Sequence, residues 1–201
     1  AIKGYKKTSL GADLWHPDEL GCLPPIVQGD FADSIQNSCQ NLAWPHQHLL
    51  SLNPCLGKPT GGCRTICKTP MLYRMAFRGL EGVKDWESEH SQIYDSAKKG
   101  SSALHAALMR NLRAELATWR GRVTVALLND FEKFFDNLDI VALLTEAIHV
   151  SFPSDLLVLA LQQHLAPRVI QAQGYSGEAV KVSRSILQGC MLSVTFTKIY
   201  M

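Results

Sequence analysis

The chain has 201 residues, of which 46% are hydrophobic and 19% are charged. This is the composition of a globular protein with enough residues for a substantial core, and it excludes a disordered charged tail. The net charge of +2 is too small to indicate nucleic-acid binding by itself, so any site for a polyanion must come from local clustering of cations. No apolar run approaches the ~20 residues of a membrane span, and the first residues lack a signal-peptide pattern. We therefore expect an intracellular protein with no membrane contact.

The first third of the chain is rich in turn-forming proline and glycine. This pattern predicts short helices between turns, for example around residues 30–42. Residues 1–40 contain no motif that points to chemistry, and we treat them as an N-terminal extension. The next elements are an extended piece over Cys63–Lys68 and a helix that opens at Thr69-Pro70, where proline suits the first helical turn.

A longer helix follows, because apolar residues from Leu104 to Trp119 recur every three to four positions. Ser101 or Ser102 can cap its start, and Gly121 can end it. The run Val123–Leu128 is nearly continuous in apolar residues and rich in β-branched ones. It predicts a strand that is covered on both faces.

The remaining pattern predicts three helices and a hairpin. The first helix follows Asp136, with Leu138, Val141, Leu144 and Ile148 on its apolar face, and the second spans Asp155–Leu165 after Ser154 as its cap. Strand-like runs at Arg168–Gln173 and Glu178–Ile186 flank a turn at residues 174–177, and a last helix begins at Ser193. Because helices and strands do not alternate regularly, the fold class is α+β.

The strand at Val123–Leu128 would deliver Asp130 at its carboxyl end, where the chain leaves the core. A carboxylate fixed in this way can hold Mg²⁺, which prefers oxygen ligands and usually takes one or two protein carboxylates together with substrate phosphates. The alternative is that Asp130 only ends the strand. Asp136 has its own structural explanation as the N-cap of the next helix.

Two further segments carry groups suited to phosphate or base contacts. Lys58 and Arg64 flank a glycine-rich turn, which allows phosphates to approach closely, although the spacing is not that of a P-loop. Gln188-Gly189 places an amide side chain beside a flexible backbone. Taken alone, the two cations can equally be solvated surface charges, and Gln188-Gly189 can be an ordinary turn.

The six cysteines are predicted to be reduced thiols, since no secretory pattern is present. Cys63, Cys67 and Cys55, with His46 and His48 nearby, offer an alternative zinc site. Their spacing does not match a paired-cysteine zinc motif, so small and partly buried residues are the favoured interpretation.

Three segments in order resemble reverse transcriptases of non-LTR retrotransposons and related mobile elements. Residues 130–136 (DFEKFFD) resemble the family's motif A, and residues 186–199 resemble its motif B, which is usually Gln-Gly-x-Pro-Leu-Ser-Pro. Residues 58–66 (KPTGGCRTI), with TPMLYR after them, resemble the family's fingers segment. The resemblance covers roughly residues 40–201. It implies a fingers-like region over residues 41–120 and a partial palm over residues 121–201.

The resemblance also implies roles for individual residues. Asp130 and the Phe131 carbonyl would ligate Mg²⁺, with two ions expected in the complete enzyme. Phe135 would crowd the sugar 2′-position of the incoming dNTP, although core packing is its alternative role. The triphosphate would be held by Lys58 and Arg64. The nucleotide pocket and template would contact Gln188 and Gly189.

The partners implied are an RNA template, a DNA primer and a dNTP, and the sequence says nothing of the oligomeric state. A template–primer hybrid is bound mainly through its backbone phosphates. The candidates for those contacts are Lys98, Lys99, Arg110, Arg113 and Arg120, against the alternative of solvated surface charge.

The family's third motif, Tyr-x-Asp-Asp, supplies the other catalytic carboxylates and does not occur before Met201. Prolines usual in the family are replaced by Thr65, Met191 and Val194. We therefore expect a polymerase fragment that is inactive by itself. The alternative is a non-catalytic retroelement relic or a domesticated domain that binds nucleic acid or protein.

Overall fold

The structure is a computed structural model that describes residues 9–92, 95–97, 100–127, 129 and 131–201. The chain forms two compact units. One unit combines the residues up to Trp86 with Lys133–Met201, and the other is Glu87–Glu132. No helix in these described ranges has the length and apolar character needed to cross a bilayer.

The described residues form helices of very different lengths, together with four strands. The helices are α1 (Pro17–Cys22), α2 (Pro25–Gln40), α3 (Met71–Gly79), α4 (Gly82–His90), α5 (Ala103–Trp119), α6 (Phe134–Asn137), α7 (Ile140–His149), α8 (Ser154–Leu165) and α9 (Ser193–Tyr200), with a 3-10 turn at His46–His48. The strands are β1 (Ser51–Gly57), β2 (Cys63–Thr65), β3 (Arg168–Ala172) and β4 (Tyr175–Val180).

The four strands form one mixed sheet in the order β2-β1-β3-β4. The two central strands run parallel, with Ser51 of β1 beside Arg168 of β3. Each central strand also pairs with an antiparallel edge strand, β2 or β4. Helices without regular βαβ alternation accompany this sheet, which confirms the α+β class.

Aromatic side chains form much of the main core. The Trp44 and Tyr73 rings lie 5.8 Å apart, and the Tyr73 and Phe77 rings 4.7 Å apart, between centroids. The indole N–H of Trp44 donates to the Leu159 carbonyl at 2.8 Å, so the buried polar atom of that ring is satisfied. These contacts join the segment before β1, helix α3 and helix α8 in one core.

A smaller cluster anchors the residues before position 40 to the same unit. Leu20 of α1 packs with Met71 and Met75 of α3. The Asp13 carboxylate accepts hydrogen bonds from the backbone N–H groups of Met71 and Leu72 at the start of α3. A carboxylate satisfies those N–H groups and interacts favourably with the helix dipole.

Several local predictions are confirmed. Helix α3 follows Pro70, and the Ser102 hydroxyl caps α5 by accepting from the His105 N–H at 3.0 Å. Strand β2 lies within the predicted extended piece, and β3 and β4 form the predicted hairpin. Two boundaries differ from prediction: the hairpin turn falls at Gln173-Gly174, and the helix expected around residues 30–42 is α2, which begins at Pro25.

The predicted strand at Val123–Leu128 is wrong for residues 123–127. The backbone there forms neither helix nor strand, and Val123 and Val125 are 92% and 91% exposed. An apolar run forms a strand only where another strand accepts its hydrogen bonds, and within the described ranges these residues pair with none. Leu128 lies outside the described residues.

Four other expectations require correction. Helix α7 buries Ile140, Leu143 and Ala147, whereas Val141 is 73% exposed. Because this helix is apolar on nearly every side, its periodicity did not decide which face is covered. The Asp139 carboxylate, rather than that of Asp136, caps α7 by accepting from the N–H groups at positions 141 and 142. Strand β4 spans Tyr175–Val180 and not residues 178–186, and α8 includes Ser154, with Pro153 before it.

Candidate functional site

Lys58 and Arg64 lie on the β1–β2 hairpin. Leu56 pairs with Arg64 and Gly57 with Cys63. The Lys58 N–H donates to the Gly62 carbonyl at 3.0 Å, and this bond closes the turn. The consecutive positive φ angles at positions 61 and 62 (+88° and +79°) explain the pair of glycines.

The register places the two cations on one face of the hairpin. Directly opposed residues of antiparallel strands share a face, so Arg64 lies with Leu56, and Lys58 lies one pleat further along. Both side chains are exposed. The hairpin therefore presents an ammonium and a guanidinium to solvent beside a glycine-rich turn, as predicted.

Gln188 and Gly189 are in a tight turn against the end of this hairpin. The Cys67 N–H donates to the Gln188 carbonyl at 2.7 Å, three residues after Arg64. The Cys190 N–H donates to the Leu187 carbonyl at 3.1 Å and closes the turn. Two of the three sequence-predicted segments thus meet through a backbone hydrogen bond.

Gly189 is required at this turn for two reasons. Its φ of +98° is a conformation that residues with a side chain rarely adopt. A Cβ atom at this position would also lie 2.9 Å from Cγ2 of Ile66. The close approach of the turn to the Ile66–Cys67 backbone therefore depends on glycine.

Phe135 is tied to the same turn segment. The Ile186 N–H donates to the Phe135 carbonyl at 2.9 Å, and the Ser185 N–H donates to the Leu138 carbonyl at 2.9 Å. Phe135 is half-buried, with its ring 5.8 Å from that of Phe134. Its backbone thus lies next to residues 185–186, and its side chain retains the core-packing role that sequence analysis left open.

A buried polar network lies beneath residues 185–192, which we call the turn segment. The Arg168 guanidinium donates to the Ser185 hydroxyl at 2.6 Å and to the His164 carbonyl at 2.9 Å. Nδ1 of His164 accepts from the Leu187 N–H at 3.0 Å, and the Ser193 hydroxyl donates to the Leu187 carbonyl. The ends of α8, β3 and α9 therefore all bond to the turn segment.

Electrostatics keep this network in one protonation state. Burial, together with the positive charge of Arg168, lowers the pKa of His164 to about 3. The imidazole is therefore neutral at physiological pH and can accept the Leu187 hydrogen bond. Burial also lowers the pKa of Arg168.

Sequence analysis did not identify His164 or Arg168. Their only signals were a histidine near the end of an apolar helix and an arginine after Pro167, and both are equally compatible with exposed positions. Their role depends on the fold, because their partners at positions 185 and 187 are about 20 residues away in sequence.

The predicted metal ligands remain a prediction. Asp130 lies outside the described residues, and Phe131 is half-exposed, at 54%, in the unit formed by Glu87–Glu132. Among the described residues no group of three or more His, Cys, Asp or Glu side chains could hold a metal ion. The Mg²⁺ site therefore depends on the resemblance in sequence.

The predicted phosphate-contacting arginines are exposed. Arg110 and Arg113 lie on α5, and Arg120 directly follows it. At 3.6 residues per turn the three positions fall within roughly 80° of one another around the helix axis. They form a basic edge beside the exposed apolar residues Leu112 and Leu116. Lys98 and Lys99 lie outside the described residues.

No protein-family model and no curated protein matches this chain.

Proposed function

We propose that this chain is the fingers and first part of the palm of an RNA-directed DNA polymerase of the reverse transcriptase type. The observation that carries the proposal is the 2.7 Å hydrogen bond from the Cys67 N–H to the Gln188 carbonyl. It joins the hairpin with the two cations to the turn with the glutamine, and the ordered sequence motifs require those two segments to meet.

The chemistry of the hairpin supports a triphosphate as the ligand. Lys58 offers a compact positive charge, and Arg64 offers a planar fork that can bind two phosphate oxygens at once. The two glycines between them let phosphate oxygens approach the backbone. Two exposed cations beside one turn match the charge of a dNTP better than that of a neutral ligand.

The resemblance in sequence assigns roles to the other candidate residues. Gln188 and Gly189 form one wall of the proposed nucleotide pocket and contact the template. Phe135 limits space at the sugar 2′-position. The Asp130 carboxylate and Phe131 carbonyl are the groups that would hold Mg²⁺, which when bound neutralises the negative charge of the transferred phosphate.

The basic edge of α5 supports a nucleic-acid partner. Arg110, Arg113 and Arg120 lie along one side of the helix, where exposed guanidinium groups can contact backbone phosphates. A template–primer hybrid bound in this way is recognised by its shape and backbone, and its affinity falls steeply with salt.

The first test is binding of a fluorescent dNTP in the presence of Mg²⁺, measured by anisotropy. We expect Lys58→Ala and Arg64→Ala each to weaken binding by about tenfold, because each removes a charge-assisted contact worth about 1.5 kcal/mol. Lys181→Ala is the matched control, since Lys181 is exposed just beyond β4. Equal affinities for all four proteins would contradict the triphosphate assignment.

The second test is primer extension by the longest protein that contains this chain. We expect extension to require Mg²⁺ and to disappear in Asp130→Asn, while the control Asp155→Asn, at an exposed residue of α8, extends normally. If dNTP binding and extension are both absent but the arginine variants lose hybrid binding, the chain is instead the non-catalytic nucleic-acid-binding relic.

A further inference from the structure

Two thiols are neighbours on the β1–β2 hairpin. Strand pairing sets Cys55 opposite Thr65, and Cys63 opposite Gly57. Residues that are directly opposed in antiparallel strands share a face, so Cys55 and Cys63 are diagonal neighbours on one face. Arg64 belongs to the other face of the hairpin.

Gly57 leaves the space that brings the two sulfurs together. The position directly opposite Cys63 has no side chain, and a Cβ atom added there would meet nothing within 4 Å. The Cys63 side chain is therefore free to lie along the diagonal, where its thiol is near enough to that of Cys55 to influence the ionisation of Cys55. Burial and the adjacent Cys63 thiol both raise the pKa of Cys55.

This pair is more accessible than Cys67 and Cys190. Both thiols are free, with Cys63 exposed and Cys55 half-buried. Cys67 and Cys190 are buried, and burial raises the pKa of Cys67 to about 12, so they are unreactive. Cys22 is exposed and provides a natural single-thiol control.

We propose that Cys55 and Cys63 form a redox modification site, at which a small disulfide such as oxidised glutathione converts them into a disulfide within the hairpin. The exposed Cys63 thiolate attacks one sulfur of the small disulfide and releases one thiolate. The Cys55 thiolate then attacks the Cys63 sulfur and releases the second. The protein pair loses two electrons and two protons, and the small disulfide is reduced to two thiols.

Bond formation alters the hairpin next to Lys58. Diagonal Cα atoms lie about 7–8 Å apart, whereas a disulfide requires about 4.4–6.8 Å. The strands must therefore move together near the turn. The inference concerns only the thiols and their strands, so it does not depend on the proposed polymerase function.

The test equilibrates the purified chain in glutathione redox buffers and maps the disulfides by mass spectrometry, using a protease that cuts between the two cysteines. We expect Cys55–Cys63 to form an intramolecular disulfide, whereas Cys22 forms only a mixed disulfide with glutathione. The Cys22→Ser variant should behave like the original chain. Cys63→Ser should leave Cys55 without an intramolecular partner.

The native fold must contribute to the pairing, because two cysteines so close in sequence also pair in an unfolded chain. We expect the effective concentration of the two thiols to be roughly fivefold higher in the native chain than in urea. Gly57→Val fills the open position on the same face and should bring the native value down to that in urea. A native value no higher than the unfolded value, or a Gly57→Val variant without effect, would overturn the proposal.

Discussion

The hairpin and the turn segment meet at the candidate site, but they are held in place by different means. The turn segment is fixed from below by Arg168, His164 and Ser193, all buried, and from the side by the Cys67 backbone. The tip of the hairpin is exposed throughout residues 56–64, and the Lys58–Gly62 hydrogen bond closes its turn. The turn segment is thus supported by buried hydrogen bonds, whereas the hairpin tip is surrounded by solvent.

Burial explains why the two regions respond differently to substitution. A buried donor or acceptor that loses its partner costs the full desolvation penalty of that group. An exposed group that loses its partner exchanges it for water at little cost. Substitutions beneath the turn segment should therefore destabilise the fold, whereas substitutions of the exposed charged side chains on the hairpin should change binding alone.

The largest expected effect is that of Arg168→Leu. The substitution leaves the His164 carbonyl, the Ser185 carbonyl and the Ser185 hydroxyl without their donor in the core. We expect the free energy of unfolding to fall by about 3 kcal/mol, measured by urea denaturation. The controls are Arg184→Ala, next to Ser185 but exposed, and Arg64→Ala on the hairpin.

Both control variants should lie within about 0.5 kcal/mol of the original chain. If Arg64→Ala lowered the free energy of unfolding as much as Arg168→Leu, the proposed difference between the hairpin and the turn segment would be wrong. An Arg168→Leu variant of unchanged stability would show that the network does not hold the turn segment.

The next largest effect is a loss of stability at low pH, caused by His164. Its folded pKa of about 3 lies below the ordinary value of 6.5, so below pH 6.5 the unfolded chain binds a proton that the folded chain does not. Stability is therefore complete above pH 6.5 and declines as the pH falls toward 3, by about 1.4 kcal/mol per pH unit at most. Between pH 7 and pH 4.5 we expect a loss of roughly 2–3 kcal/mol in urea denaturation.

His164→Asn isolates this contribution, because an amide oxygen can accept the Leu187 N–H without titrating. Its unfolding free energy should depend less on pH in this window. His149→Asn is the control, since His149 is exposed at the end of α7. If the original chain and His164→Asn lost stability equally steeply as the pH falls, other groups would cause the acid sensitivity. His48 would then be the first candidate, since burial also lowers its pKa.

The smallest of these effects compares two glycines with positive φ, one in each region. Gly189→Ala is destabilised both by its backbone conformation and by the clash with Ile66. Gly62→Ala meets nothing within 4 Å, so only its backbone conformation is unfavourable. We expect losses of about 2 kcal/mol and about 1 kcal/mol, respectively, in thermal or urea unfolding. Equal losses would mean that the turn does not need its close approach to Ile66.

Local sequence signals worked where the deciding interaction is itself local. Ser102 caps α5 and Pro70 precedes α3, because capping and proline effects act within one helical turn. The glycines at positions 61 and 62 correctly indicated a turn, although strand β1 before it was not predicted. The same reasoning failed at residues 123–127, where a β-branched run was taken as a strand although strand formation needs a distant partner.

The candidate site residues divide in the same way. Lys58, Arg64, Gln188 and Phe135 were selected as candidates because they belong to ordered motifs that resemble a known family. The roles of His164 and Arg168 were missed because each depends on partners about 20 residues away. Asp130 and the Mg²⁺ site remain predictions of the resemblance.

The amino-acid sequence by itself determined the α+β class, most helix positions, the β3–β4 hairpin, the glycine-rich turn after β1 and the identity of the charged and amide groups at the candidate site. These follow from periodicity, capping and turn chemistry, which act over a few residues. The tertiary structure alone decided which side of α7 is buried, which strands lie at the centre of the sheet, and that a neutral histidine and a buried arginine support the turn at Gln188. Those outcomes depend on desolvation and hydrogen-bond pairing between segments far apart in the chain, and no local pattern specifies them.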